Sequence, residues 1–311
     1  MTTGILLSQA IEGFLLARAA DGYSPSTLSQ YKWGLDFVTS EISKPVKEVT
    51  TVDLRRAMAK VQASDLSPVS IFHVWKAIRA FYKWSSAEGL TERPDKPLAQ
   101  PRFSIPEVVP FTSDEIKTLL KAVDYSVRAV TKKRASFVMA KPNALRDRAI
   151  ILVLLDTGLR ASELCRLRID DIDLQNGSVI VRPFRSGLKS RSRTIPIGQT
   201  TRKVLWKYFS SRETRPADPA FSTLEGGELD RGDLGHLFQR LGIHTGIKNV
   251  HPHRFRHTFA ITYLRNGGDV FTLQRLLGHS TLEMVRHYVA LAEADDKEAH
   301  RRASPVDNWR L

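Results

Sequence analysis

The sequence predicts a mainly α-helical protein in two parts, with one small antiparallel sheet inside the second part. Three observations predict it. Apolar residues recur at helical spacing across residues 6–89. Five prolines, at 94, 97, 101, 106 and 110, then interrupt that pattern. The remainder is helical again, except for strand-like segments around Asn176-Gly177. With 311 residues, 42% of them hydrophobic, the chain can fill two ordinary cores.

Residues 1–89 read as four helices. The first runs from about Leu6 to Ala20. The second opens at Ser24-Pro25, a cap followed by a proline whose missing N–H costs nothing in the first turn. The third opens at Thr50 or Thr51, with Asp53 in its first turn. The fourth opens at Ser67-Pro68 and stops at Gly89. Tyr31, Trp33 and Phe37 on the second helix, and Trp75, Phe81, Tyr82 and Trp84 on the fourth, follow helical spacing. They read as core rather than as platforms for stacking bases. Residues 90–111 read as a semi-extended linker that could let two lobes close around a cylinder.

The second domain, 112–311, starts at the capped sequence Thr112-Ser113-Asp114-Glu115. Residues 125–146 hold six basic residues and no acid, among them Lys132, Lys133 and Arg134. A solvated loop and a contact to a nucleic-acid backbone both fit. Helix resumes at Leu145, and a second helical stretch follows Arg160. Asn176-Gly177 marks a hairpin, and a third strand falls near Arg191–Ile197. Between Leu174 and Arg212 there are nine Lys+Arg and no acid, so Arg182, Arg185, Lys189, Arg191 and Arg193 form a candidate basic stripe. Helices are expected at 199–212, 230–241, 252–266, 270–277 and 281–302.

The net charge of +14 points to a polyanionic partner. It is uneven: residues 1–100 hold 12 basic against 10 acidic residues, and the rest hold 35 against 23. A lone cysteine, Cys165, excludes an internal disulfide and a cysteine metal cluster, and reads as a small buried hydrophobe. No apolar run approaches the ~20 residues of a membrane span, and the N-terminus lacks the basic start of a signal peptide. A cytoplasmic protein is expected.

Five residues then stand out in order: Arg160 in TGLRASEL, His253 and Arg256 in HPHRFRH, His279 in LLGHS, and Tyr288 in VRHYV. Guanidinium groups clamp phosphate oxygens, imidazoles move protons near neutral pH, and a tyrosine hydroxyl can be a covalent nucleophile. These are the parts of a phosphoryl transfer that needs no metal and no cofactor. His251, His253 and His257 are close enough to suggest a metal site. However, no acidic cluster accompanies them, and Arg254 and Arg256 would repel a cation.

These motifs, in this order and after a helical N-terminal domain, resemble the tyrosine recombinases of the phage-integrase and Xer type. The resemblance covers nearly the whole chain. It implies a four-helix, SAM-like domain that binds core DNA and a helical catalytic domain with a three-stranded sheet. Arg160 matches the family's first arginine and Glu163 the acidic residue that supports it. His253 and Arg256 match its His-x-x-Arg pair, His279 its histidine-or-tryptophan position, and Tyr288 its nucleophile. The family's lysine should lie in the turn before the third strand. Counting back from Ile195-Pro196-Ile197 gives Leu188; Lys189 is its neighbour and the candidate, with Arg185 and Arg191 as weaker substitutes because arginine does not give up its proton. The resemblance further implies double-stranded DNA as partner, a homotetramer on two paired sites, and room for accessory proteins. It favours an integrase or transposase of a mobile element without an added arm-binding domain. Xer-type dimer resolution is the alternative. A type IB topoisomerase and a DNA-binding regulator that has lost catalysis are remoter readings. Val306, Trp309 and Leu311 suggest a tail that docks in cis or on a neighbouring subunit.

Overall fold

The computed structural model describes residues 4–103, 109–124, 142–183, 192–279, 281–292, 300, 304 and 306, together with the backbone of 129–131 and 134–137. The chain divides into two compact units, Met1–Glu107 and Val108–Leu311.

In the first unit, helices α1 (Leu7–Ala20), α2 (Pro25–Thr39), α3 (Thr51–Gln62) and α4 (Pro68–Ala87) form where the caps predict. The Ser24 and Ser67 hydroxyls accept the backbone N–H of Thr27 and Ser70, and Thr50 exchanges bonds with Asp53. Phe14 lies at the centre of the core, edge-on to Phe81 and against Tyr31 and Trp84. The aromatics therefore do build the core, although Trp33 remains exposed. Gly34 lets α2 approach α4 closely, because a Cβ there would sit 2.9 Å from the Ala77 Cβ.

The proline-rich stretch departs from expectation over its first half. Proline density forbids helix there but not packing. Asp95 is fully buried and takes two 2.6 Å hydrogen bonds from the Arg93 guanidinium, and Arg79 lies 3.2 Å away. Thr51 donates to the Pro94 carbonyl, and Leu98 joins the core. Residues 90–98 thus belong to the first unit.

The second unit contains α5 (Ser113–Asp124), β1 (Ala129–Thr131), β2 (Arg134–Phe137), α6 (Ala144–Thr157), α7 (Ala161–Cys165), β3 (Ile172–Asp173), β4 (Ser178–Val181), β5 (Arg193–Pro196), α8 (Gln199–Ser210), α9 (Arg231–Thr245), α10 (Pro252–Arg265), α11 (Val270–Leu277) and α12 (Glu283–Ala292). The basic stretch expected as a loop carries an antiparallel pair, β1–β2. Lys132, Lys133 and the side chain of Arg134 lie outside the described residues. Arg146, counted in that stretch, is buried and donates to Asp147 and to the Ser222 carbonyl.

The three-stranded sheet runs β3-β4-β5, antiparallel throughout. Its first turn is built by the Asp173 carboxylate, which accepts the N–H groups of Gln175 and Asn176, and by Gly177 at φ 70°. In the second pairing, Val179 faces Ile195 and Val181 faces Arg193. Helix α6 is buried along most of its length in the main core. A smaller cluster joins α10, α11 and α12 through Ala260, Ile261, Leu273, Leu277, Val285 and Tyr288. Cys165, expected inside, packs against the main core but is partly exposed. The tail residues Trp309 and Leu311 and the helix expected over 293–299 lie outside the described residues.

Candidate active site

Arg160, Arg193, Arg256 and His279 stand at or near the ends of helices or strands, Tyr288 stands in the middle of α12, and a few backbone groups bring these segments together. Helix α6 ends at Gly158 in the left-handed conformation, φ 61°. A Cβ there would lie 2.5 Å from Phe259 Cδ1, so only glycine fits both the turn and the space. Two residues later Arg160 caps α7. Its backbone N–H donates to Glu163 Oε2 at 2.9 Å and its Nη1 donates to Oε1 at 3.1 Å. The Arg160 side chain keeps 38% exposure.

Glu163 is 7% exposed and also receives the Arg193 guanidinium on both oxygens, at 3.0 and 2.8 Å. Burial alone would push its carboxyl up. Arg193 first, then Arg160, overcome this and hold it at about 2. Arg193 was expected in the basic stripe as a DNA contact. The structure engages it within the protein instead: its Nε donates to the Leu276 carbonyl at 2.7 Å and its other donors hold Glu163. Arg182, the other described member of the stripe, is exposed and paired with Asp171 and Asp170. Arg185, Lys189 and Arg191 lie outside the described residues.

Arg256 projects from the first turns of α10, where His251 caps the helix and Pro252 starts it. It is 1% exposed. Its Nη1 donates to the Gly158 carbonyl at 2.6 Å, and its Nη2 donates to the Leu277 carbonyl at 2.8 Å and to His279 Nε2 at 2.7 Å. Burial, then the nearby charge of Arg160, lowers it to about 10, which still leaves it fully charged at neutral pH.

The contact with His279 fixes a tautomer. A guanidinium has donors and no acceptor, so Nε2 must offer its lone pair, and the proton of the neutral ring sits on Nδ1. Burial and then the Arg256 charge hold His279 down to about 4, so the ring is neutral at pH 7. Nδ1 is buried and has no hydrogen-bond partner among the described residues. It is a spare N–H donor beside two guanidinium groups.

Tyr288, from α12, is buried, with its ring parallel to that of His279 at 6.2 Å. Burial raises its pKa; the charges of Arg256 and Arg160, and a hydrogen bond from Arg256, pull it back. His257 also abuts Tyr288, with ring centres 5.2 Å apart, and His253 stacks edge-on to His257 at 4.7 Å. His253 is exposed, and partial desolvation followed by the Arg256 charge pushes it below its ordinary value.

Arg160, Glu163, His253, Arg256, His279 and Tyr288 are thus gathered into one electropositive centre. Sequence reasoning missed Arg193 as the partner of Glu163, and the Gly158 and Leu277 carbonyls as anchors for Arg256. The one available signal was Gly158 itself, immediately ahead of Leu159-Arg160. Among the described residues no group of three or more His, Cys, Asp or Glu is placed to hold a metal ion.

Residues 110–295 match the model of the phage integrase family. The chain is 31% identical to tyrosine recombinase XerA of Pyrococcus furiosus, over 97% of this chain and 96% of that protein. The chain belongs to the phage integrase family. It is a tyrosine recombinase, an enzyme of site-specific DNA recombination. It is also 30% identical to tyrosine recombinase XerC of Chromobacterium violaceum, over 92% and 91% of the two chains. In fold it resembles the Tn1549 transposon integrase solved with circular intermediate DNA, at a TM-score of 0.76 and 20% identity over 96% and 99% of the chains. A λ integrase dimer on a core site gives a TM-score of 0.72 at 18% identity, over 90% and 97%. No described helix of the recombinase is long and apolar enough to cross a membrane.

Proposed function

We propose that this recombinase cuts and rejoins double-stranded DNA through a 3′-phosphotyrosyl intermediate. The Tyr288 hydroxyl attacks a scissile phosphorus, the P–O5′ bond breaks, and the 5′ oxygen leaves with a proton from Lys189. Arg160 and Arg256 offset the charge that grows on the non-bridging oxygens, and the spare Nδ1–H of His279 donates to one of them. His253 assists proton transfer to and from Tyr288. Attack by a free 5′ hydroxyl of another strand reverses the step, and the phosphoryl bond energy is kept throughout. The observation that carries this reading is the convergence of Arg160, Arg256, His279 and Tyr288, with Glu163 the one carboxylate paired there among the described residues.

In this reading the first unit grips core DNA, each protomer takes one half-site, and four protomers act on two paired sites. Mobility of a DNA element is the proposed role. Dimer resolution of the Xer type is the second reading, and relatives named XerA and XerC are compatible with it. Nicked duplexes tiled across the DNA flanking the gene test the chemistry. Wild-type protein should give an adduct that survives a denaturing gel, and Tyr288→Phe should shift the same duplex in a native gel without forming one. An adduct from Tyr288→Phe would sink the assignment. Once a site is known, plasmids carrying two copies separate the roles. Element mobility predicts recombination between two unlike sites, whereas dimer resolution predicts recombination between identical ones.

A further inference from the structure

The basic stripe was read as a surface for nucleic acid, but one of its members has turned inward. Arg193 stands at the start of β5, paired in register with Val181, and its side chain is only 11% exposed. All three nitrogens of its guanidinium are engaged. Nη1 and Nη2 grip the two oxygens of Glu163, and Nε reaches the Leu276 carbonyl at the end of α11.

We propose that Arg193 is a positioning residue for DNA cleavage: it fixes the Glu163 carboxylate that aims Arg160, and it ties strand β5 to the end of α11 that carries His279. This rests on the reading of the site given above.

The geometry supports the proposal from both ends. Each Glu163 oxygen takes one bond from Arg193 and one from Arg160, so the carboxylate cannot turn without breaking contacts on both sides. At the other end, the guanidinium lies against Gly278, in the left-handed conformation at φ 62°. A Cβ on Gly278 would come within 3.0 Å of Nη1 and 3.1 Å of Cζ. The glycine next to His279 therefore meets two needs at once, the turn out of α11 and the space for Arg193.

A purely structural ion pair and a positioning role predict different pH behaviour. In the wild type Arg193 is the first group that opposes the effect of burial on Glu163. Without Arg193 the carboxyl rises, takes a proton in mild acid, and releases Arg160. The test measures covalent adduct formation on a randomised pool of nicked duplexes, with affinity for the pool measured separately. Arg193→Ala should bind the pool as the wild type does and form adduct about tenfold to a hundredfold more slowly at neutral pH. It should slow further below about pH 6, whereas the double variant Arg193→Ala/Glu163→Gln should show no such acid limb. Arg193→Lys restores the charge without the fork and should fall between; it carries the same test if the alanine variant does not fold.

A wild-type rate for Arg193→Ala would overturn the proposal. So would a loss that parallels the wild-type pH profile, or one matched by lost affinity. Tyr288→Phe run beside these variants isolates the underlying reading: an adduct from it refutes the site assignment whatever Arg193 does. Absence of a wild-type adduct from the pool overturns the site reading and this inference together.

Discussion

Each unit of the recombinase buries a carboxylate between two arginines, and the two clusters differ in what is left over. In the first unit Asp95 is fully buried against Arg93 and Arg79, which holds a proline-broken segment onto the helices. In the second unit Glu163 is buried against Arg193 and Arg160, but a third guanidinium, Arg256, converges on the same place. The hydrogen bonds of Arg256 go to two backbone carbonyls, a neutral histidine and the Tyr288 hydroxyl, none of them a carboxylate. The first cluster sets two guanidiniums against one carboxylate and acts as a clasp; the second sets three against one. The second carries surplus positive charge in a partly desolvated place, a condition that a phosphate would relieve.

The sharpest way to break this comparison is to remove the surplus. Arg256→Ala should leave DNA binding largely intact and slow adduct formation by a thousandfold or more, a loss of about 4 kcal/mol in transition-state stabilisation. A native gel beside a denaturing gel measures both. A loss below tenfold would mean that the third guanidinium is structural. Asp95→Asn addresses the other cluster. It should destabilise the first unit by about 3 kcal/mol, because it leaves two guanidiniums without their carboxylate, and leave the cleavage rate of folded protein unchanged. Denaturant unfolding followed by the tryptophans reads the first effect.

Acid titration sharpens the comparison further. The Glu163 carboxyl is held at about 2 in the folded protein, below its ordinary 4.5. Its stabilising contribution is therefore complete above about pH 4.5 and disappears as pH falls through 2. The wild type should lose roughly 2–3 kcal/mol more than Glu163→Gln over that interval in unfolding experiments. The smallest effect belongs to a helix start in the first unit. Thr50→Ala removes the hydroxyl that accepts the Asp53 N–H and should cost about 1 kcal/mol, seen as a lower unfolding midpoint with no change in cleavage.

Much of this was legible in the sequence wherever the cause is local. Ser24-Pro25, Thr50-x-x-Asp53 and Ser67-Pro68 are helix starts because a side chain bonds its own backbone three residues on, and that needs no knowledge of the fold. The His253 and Arg256 pair could be read because its His-x-x-Arg spacing matches the motif of the family that the chain resembles. The unread parts depend on partners far along the chain. Nothing near Asp95 announces Arg79, so residues 90–98 looked like a free linker. Nothing near Arg193 announces Glu163, 30 residues earlier, so a buried strut passed for a surface charge. The short β1–β2 pair escaped notice because its segment is rich in basic residues and shows no strict alternation.

Arg256 draws its hydrogen-bond partners from two distant stretches, Gly158 on one side and Leu277 with His279 on the other. A chain that cuts genomes carries a hazard, because a half-made or damaged copy could nick at random. Here the proposed nucleophile, Tyr288, and its proposed electrostatic support come from segments that meet only when α6, α10, α11 and α12 have closed around one side chain. An incomplete copy therefore holds a tyrosine without a blade, and the fold itself acts as the safety catch.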